Sequence, residues 1–184
     1  MKLKTNFRKP LALAFMVLTI LCLQACKKNF RDADVPSFPV TSASFTDGSN
    51  IPKQFTCDGA NTSPALSWSS APQKTQSFAL IASDQDSPIT FVHWVVYNLP
   101  PTIMQIAEGP HNQLPQGALQ GTTNFDAVGY GGPCPPTGTH RYNFTIYALD
   151  SMMQVPSGAN AKELRKAMSG HVLAEGNLMG RYHR

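Results

Sequence analysis

Three ionisable side chains stand at the ends of apolar, strand-like runs, and they are the residues with the most chemistry to offer. In "SFALIASD" the alternation puts Phe78, Leu80 and Ala82 on one face, and Asp84 ends that face. In "FVHWVVYNLP" the row Phe91, His93, Val95, Tyr97 and Leu99 carries His93 near its start, and in "HRYNFTIYALD" His140 begins the row Tyr142, Phe144, Ile146 and Ala148. A carboxylate or imidazole facing a core needs a partner, because burying it unpaired costs several kcal/mol. If the first two runs pair as antiparallel neighbours, the end of one lies beside the start of the next, and Asp84 meets His93 in a polar pocket at the sheet rim. Each histidine taken alone reads as a core histidine satisfied by a backbone carbonyl. The three together make the shared pocket the better reading.

The segment in front of His140 supports it. In "GGPCPPTGTH" the residues Pro133, Pro135 and Pro136 have a fixed φ and no N–H, while Gly131, Gly132 and Gly138 permit backbone shapes barred to other residues. Such a loop is stiff and irregular, and leaves the N–H groups of Gly132 and Cys134 as donors. With imidazoles and the Tyr142 hydroxyl, these donors suit an anion with several oxygens, a phosphoryl or carboxylate group. Asp84 would accept a hydrogen bond from a histidine ring, fixing its tautomer and favouring its charged form. Catalysis is the competing class. His93, His140 and Asp84 have the composition of a two-histidine, one-carboxylate metal site, and Ser63 or Ser87 could serve as a nucleophile. Neither G-x-S-x-G nor H-E-x-x-H occurs. The reading is therefore binding rather than catalysis, with no metal and no cofactor.

Composition limits what must hold these residues. Of 184 residues 42% are hydrophobic and only 14% charged, as expected for one domain with a real core. The excess of 15 basic over 11 acidic residues is accounted for by Lys2, Lys4, Arg8 and Lys9 in the leader, so no basic patch for nucleic acid follows. The apolar run Leu11–Leu23 is too short to span a bilayer and fits a secretory signal peptide. It ends in "LQAC", which resembles the lipobox of bacterial lipoproteins. Residues 1–25 then form the signal peptide, Cys26 carries the lipid and 26–40 are a tether, placing the protein in the bacterial cell envelope, anchored to membrane. Ordinary signal cleavage nearby is the alternative. Cys57 and Cys134 are left, and an even pair in an oxidising compartment reads as one disulfide, against two separate buried thiols. Neither C-x-x-C nor a zinc spacing is present.

Within a single domain of residues 41–184, short runs of branched and aromatic residues alternate with Gly, Pro, Asn and Asp clusters as far as Leu149, the pattern of a mainly β, antiparallel sandwich or barrel. One segment differs. In "NAKELRKAMSGHVLAEG" Asn160 is placed to cap a helix, and Leu164, Met168 and Val172 fall at helical spacing, which predicts a short C-terminal helix of about three turns.

"SDQDSP", "HWVVYNLP" and "GPCPPTGTHRY", taken in order with "CDGANTSPALSWS" and "LMGRY", resemble the phosphatidylethanolamine-binding protein family, specifically its bacterial Raf-kinase-inhibitor-like branch, over about residues 40 to 182. The resemblance implies a Greek-key antiparallel β-sandwich with a small anion pocket at one end. By motif, that pocket uses Asp84, Pro88, His93, the Cys134 backbone amide, Pro136, His140 and Tyr142. Gln85 stands where the family usually has proline, and Ser87 where it often has alanine; both loosen the loop without removing a ligand group. The chain stops at Arg184, short of the C-terminal segment of animal relatives, so regulation by such a segment is not expected. The implied ligand is a phospholipid head group or phosphate ester. Inhibition of a protease or another protein partner by surface loops is the alternative, and a metal-dependent hydrolase a more distant one.

Overall fold

The strand Ser77–Asp84 (β3) is buried along its whole length, and the rest of the fold is arranged around it. The computed structural model describes residues 35–110 and 113–184, so the leader, Cys26 and the tether up to residue 34 lie outside the described residues. One face of β3 carries Phe78, Leu80 and Ala82, as the alternation predicts, and packs into the sandwich interior. The other carries Ala79 and Ile81, which are apolar as well, so this face also requires a cover.

Two antiparallel sheets and a helix supply both covers. Val40–Thr41 (β1), Leu66–Trp68 (β2) and Gln105–Ile106 (β5) form a small sheet in the order β1-β2-β5. Phe91–Leu99 (β4), Leu119–Gln120 (β6), Thr139–Leu149 (β7) and Val172–His183 (β8) join β3 in the order β6-β4-β3-β7-β8. The chain leaves β4, crosses to the small sheet as β5, returns as β6 on the outer edge of β4 and then crosses to β7 on the far side of β3, which makes this the expected Greek-key sandwich. Val40, Leu66, Trp68 and Ile106 of the small sheet share one core with Phe78, Trp94, Phe144 and Leu178 of the large one. The stretch read as tether up to residue 40 thus contributes Phe38 and Val40 to the interior.

The helix Ala161–Met168 (α1) covers the second face of the large sheet. Asn160 caps it as expected, its Oδ1 accepting from the N–H of Lys162 at 3.0 Å and of Glu163 at 3.1 Å, while Glu163 accepts from the Asn160 N–H at 2.9 Å. Ala161, Leu164 and Met168 pack on Ile81, Val95 and Tyr97. The helix is shorter than the three turns expected. It ends at Ser169, before Gly170 at φ +84°, and Val172 opens β8 instead of extending the helix.

β8 pairs with β7 along its length, and two of its interior-facing positions are glycines. A Cβ on Gly176 would lie 2.5 Å from the Phe38 carbonyl oxygen, and one on Gly180 would lie 2.4 Å from Ile51 Cγ1. The segment carrying Phe38 therefore rests directly on the backbone of β8, held by the Phe38 N–H to Glu175 carbonyl bond of 3.0 Å. Gly176→Ala must displace main chain, and we expect it to cost about 1–3 kcal/mol of stability, measured as a lower midpoint in urea unfolding with an unchanged slope.

Candidate functional site

Asp84 is the last residue of β3 and only 4% exposed. Its Oδ1 accepts from the backbone N–H of Asp86 at 2.8 Å and of Ser87 at 3.2 Å, which folds the chain into a tight turn after the strand. Its Oδ2 accepts from His140 Nδ1 at 2.7 Å. That contact follows from register: Tyr142 on β7 pairs directly with Asp84, which leaves His140, two residues earlier on the same face, beside the carboxylate. On the opposite face Arg141 clamps the turn. Its backbone N–H donates to Asp86 Oδ2 at 2.8 Å and its Nε to the same oxygen at 3.0 Å, and the hydrogen bonds from Arg141 hold the Asp86 carboxyl at about 2. The Gln85 N–H donates to the Arg141 carbonyl at 3.0 Å, so Gln85 is tied down although proline would have been the family's choice.

His93 reaches the same cavity through a bulge. Ala82 pairs with Trp94 while the next residue, Ser83, pairs with Val92, so His93 is the extra residue that is re-aimed. A second irregularity separates Leu99 from Val96, beside Asn98 at φ +57°. Together they correct the expected row on β4. Trp94, Val96 and Leu99 face the sandwich interior, whereas Val95 and Tyr97 face α1. His93 Nδ1 donates to the Gly131 carbonyl at 2.7 Å, and the Gly131 N–H returns a bond of 2.8 Å to the His93 carbonyl. Since a carbonyl only accepts, the ring proton is on Nδ1 and Nε2 holds a lone pair. Burial depresses the His93 pKa, and the ring is packed edge-on by Tyr142 and Phe125, with centroids at 5.1 and 5.2 Å.

The cavity has a volume of about 230 Å³. Asp84, Pro88, His93, Cys134, Pro136 and His140 line it, six of the seven expected residues, together with Ser87, Phe91 and Phe125. Tyr142 is the exception. It is 1% exposed and lies behind the His93 ring, not on the cavity wall; its hydroxyl is buried without a standard hydrogen-bond partner. Burial, then the Asp84 carboxylate, raise its pKa well above the ordinary range, so it remains a neutral donor. Asp84 meets His140, where the strand-end reading had paired it with His93. The Gly132 N–H is also taken, by Asn61 Oδ1 at 2.7 Å. Ser63 donates to the Gly109 carbonyl at 3.1 Å and is absent from the cavity wall. Phe91 and Phe125 had no sequence signal, because Phe91 was counted as core and Phe125 sits in a turn outside any periodic run.

The proline-rich loop is fixed in place by the expected disulfide. Cys57 and Cys134 are bonded, with Cα atoms 5.5 Å apart, and the Cys57 N–H donates to the Pro133 carbonyl at 3.1 Å. Asp58 next to it accepts from the Tyr182 hydroxyl at 2.9 Å and pairs with Arg184 at 3.0 Å. Among the described residues no group of three or more His, Cys, Asp or Glu side chains is placed to hold a metal ion. Also among them, no helix is long and apolar enough to cross a membrane.

The described residues form a two-sheet sandwich with an outer helix and a small, histidine-lined pocket at its rim. Residues 41–183 match the family model described as phosphatidylethanolamine-binding protein, and the chain belongs to that family. A UPF0098 protein from Methanothermobacter thermautotrophicus is 44% identical over 143 residues, covering 76% of this chain and 95% of the relative. Another from Aquifex aeolicus is 44% identical over 150 residues, covering 79% and 88%. Among solved structures, E. coli YbcL, described as a new member of the mammalian PEBP family, superposes with a TM-score of 0.76 at 31% identity, covering 80% of this chain and 99% of its own. A Chlamydia trachomatis homolog gives 0.74 at 38% identity, covering 80% and 98%.

The depressed pKa of His93 has a consequence with a definite sign. The folded state keeps this ring neutral below the ordinary value of 6.5, so the unfolded chain binds the extra proton. This contribution to stability is complete above 6.5 and is lost as pH falls below it. Asp86 acts in a lower window, losing its contribution as pH falls from 3.8 towards about 2. We expect stability measured by urea unfolding to fall between pH 6.5 and 5, and His93→Gln to remove most of that slope while leaving the acid limb.

Proposed function

We propose that this chain is a binding protein, not an enzyme, that holds a small anion, a phosphate, phosphate ester or carboxylate, in the rim pocket. The observation that carries this reading is that both imidazoles are anchored through Nδ1, to Asp84 and to the Gly131 carbonyl at 2.7 Å each, which leaves both Nε2 atoms for a ligand. They offer different things. Neutral His93 presents an acceptor, which suits the hydroxyl of a monohydrogen phosphate or a protonated ester. His140, when it carries both protons, presents a charge-assisted donor. The Asp84 charge does not repel an anion strongly, because two backbone amides and His140 already occupy its oxygens. Aromatic walls at Phe91 and Phe125 exclude water from the contact and strengthen it.

His140→Ala should weaken binding of inorganic phosphate by about 1.5–3 kcal/mol, ten- to a hundredfold in affinity, by removing a charge-assisted donor. His171→Ala is the control, since His171 lies at the other end of the large sheet on Asp150. Calorimetric titration reads both; equal affinity in His140→Ala and wild type would place the ligand elsewhere.

We further propose that the protein is exported and tethered to the cell-envelope membrane by a lipid on Cys26. The bonded pair Cys57–Cys134 supports this reading, because such a pair persists in an oxidising compartment. Intact-mass measurement of protein from its host should show an acylated mature chain beginning at Cys26, and Cys26→Ser should lack both the acyl mass and the processing.

A further inference from the structure

The two halves of the Cys57–Cys134 bond are not presented alike. Cys57 is exposed, whereas Cys134 is half-buried on the wall of the rim pocket. The sulfurs also differ in the charges around them. Arg184 Nη1 donates to Cys134 Sγ at 3.5 Å, and the same side chain pairs with Asp58 at 3.0 Å. The main chain of Arg184 is fixed as well, its N–H donating to the Gly138 carbonyl at 3.2 Å and its carbonyl accepting from the Gly138 N–H at 3.0 Å. Among the described residues no cation makes a hydrogen bond to Cys57 Sγ, and the next charge along the chain is the Asp58 carboxylate. That carboxylate is covered by Arg184 and by the Tyr182 hydroxyl at 2.9 Å, which weakens its repulsion of an approaching anion.

Thiol–disulfide exchange responds to both differences. The attacking thiolate needs access to one sulfur, and the other must leave with the electron pair, which it does faster the better its anion is stabilised. Access favours attack on Cys57, and a guanidinium at the departing sulfur favours Cys134 as leaving group, so both preferences point one way. The Arg184 side chain is 44% exposed, so water screens it and its effect is severalfold, not larger. What depends on the bond is equally specific. The loop is anchored at its start by the Gly131 N–H on the His93 carbonyl, the Gly132 N–H on Asn61 and the Pro133 carbonyl on the Cys57 N–H, and at its end by Gly138 on Arg184. Cys134 and Pro136 line the rim pocket between those anchors, and the disulfide holds that middle stretch.

We propose that the Cys57–Cys134 bond is a thiol-exchange site that sets the state of the rim pocket, with a dithiol reductant as its reaction partner. A thiolate of the dithiol attacks Cys57 Sγ, a mixed disulfide forms as the Cys57–Cys134 bond breaks, and the electron pair leaves on Cys134 Sγ beside Arg184. The second thiol of the reductant, deprotonated, then attacks its own partner sulfur in the mixed disulfide, and Cys57 leaves as a thiolate. Two electrons have passed: the dithiol is oxidised to a disulfide, and the protons it gave up balance those taken by Cys57 and Cys134. The released loop keeps its anchors, but Cys134 and Pro136 lose their fixed places on the wall, and the pocket binds its anion weakly until the bond is remade. This last consequence rests on the anion reading given above; the exchange itself does not.

The oxidised mature protein is treated with a thioredoxin-type probe whose second cysteine is changed to serine, so that the mixed disulfide persists, and the released thiol is capped with iodoacetamide. Peptide mapping should find the probe on Cys57 and the cap on Cys134; a probe on Cys134, or on both equally, overturns the proposed direction. Arg184→Gln should slow the exchange severalfold, whereas Arg181→Gln, which removes the same charge without a contact to either sulfur, should not. Equal rates in both variants and the wild type overturn the role of Arg184. Reduction by dithiothreitol should be first order in the dithiol and leave the circular dichroism of the sandwich in place. Calorimetry should then find inorganic phosphate bound about tenfold more weakly, with the loss reversed on reoxidation. A rate independent of dithiol, or loss of the sandwich signal on reduction, means that the bond opens only with the fold and overturns the switch. Equal phosphate affinity in the two states overturns the switch and leaves the anion pocket standing, while oxidised protein that binds no phosphate overturns both.

Discussion

A carboxylate at the end of a fully buried strand has few ways to remain charged, and Asp84 uses all of those available to it. Two backbone amides of the following turn and the Nδ1 proton of His140 occupy its oxygens, and each of these demands something of the chain. The amides require residues 85–87 to turn sharply back. The imidazole requires β7 to lie beside β3 in one register, since a slip of a single residue would carry His140 to the other face. Arg141 sits on that other face and reinforces the same register by gripping Asp86. One buried charge thus fixes the end of the central strand, the following turn and the position of an imidazole in the rim pocket.

The second imidazole is held by a different logic. His93 has no carboxylate of its own; it is buried among aromatic edges, bonded to a carbonyl and kept neutral. Two histidines of the same residue type therefore present different hydrogen-bonding character, set by whether Nδ1 meets a charged or an uncharged acceptor. On the anion reading proposed above, a ring that accepts beside one that donates when it carries both protons would favour an anion that retains a proton over one that is fully ionised, and this asymmetry would be lost if both rings leaned on carboxylates.

Much of this was legible in the sequence, and the failures have physical causes. Strict alternation along β3 and β7 brought Asp84 and His140 to the same rim because those strands are regular. The same count on β4 placed His93 correctly but misassigned Val95 and Tyr97, since two irregularities in its pairing with β3 change the parity and a bulge leaves no mark in a run of valines and aromatics. β8 was hidden by the glycines at Gly176 and Gly180, which lower strand propensity yet are needed where Phe38 and Ile51 touch its backbone. Tyr142 shares a row with His140, and alternation gives the face but not the depth: one residue pair further from the rim it lies behind His93. Phe125 was out of reach altogether, because a wall residue in a turn is defined by what it leans on.

The Cys57–Cys134 bond closes a separation of 77 residues and pins the proline-rich loop to the neighbouring turn. Ordering a loop of that kind normally falls due when a ligand arrives, and it is then subtracted from the affinity. Here the ordering is complete at oxidation, before any ligand is met, with prolines limiting what freedom is left. If the pocket takes the anion proposed for it, association need not wait for a loop to close, the bound and free loops should have nearly the same backbone, and selectivity would fall on shape and protonation instead of on induced fit.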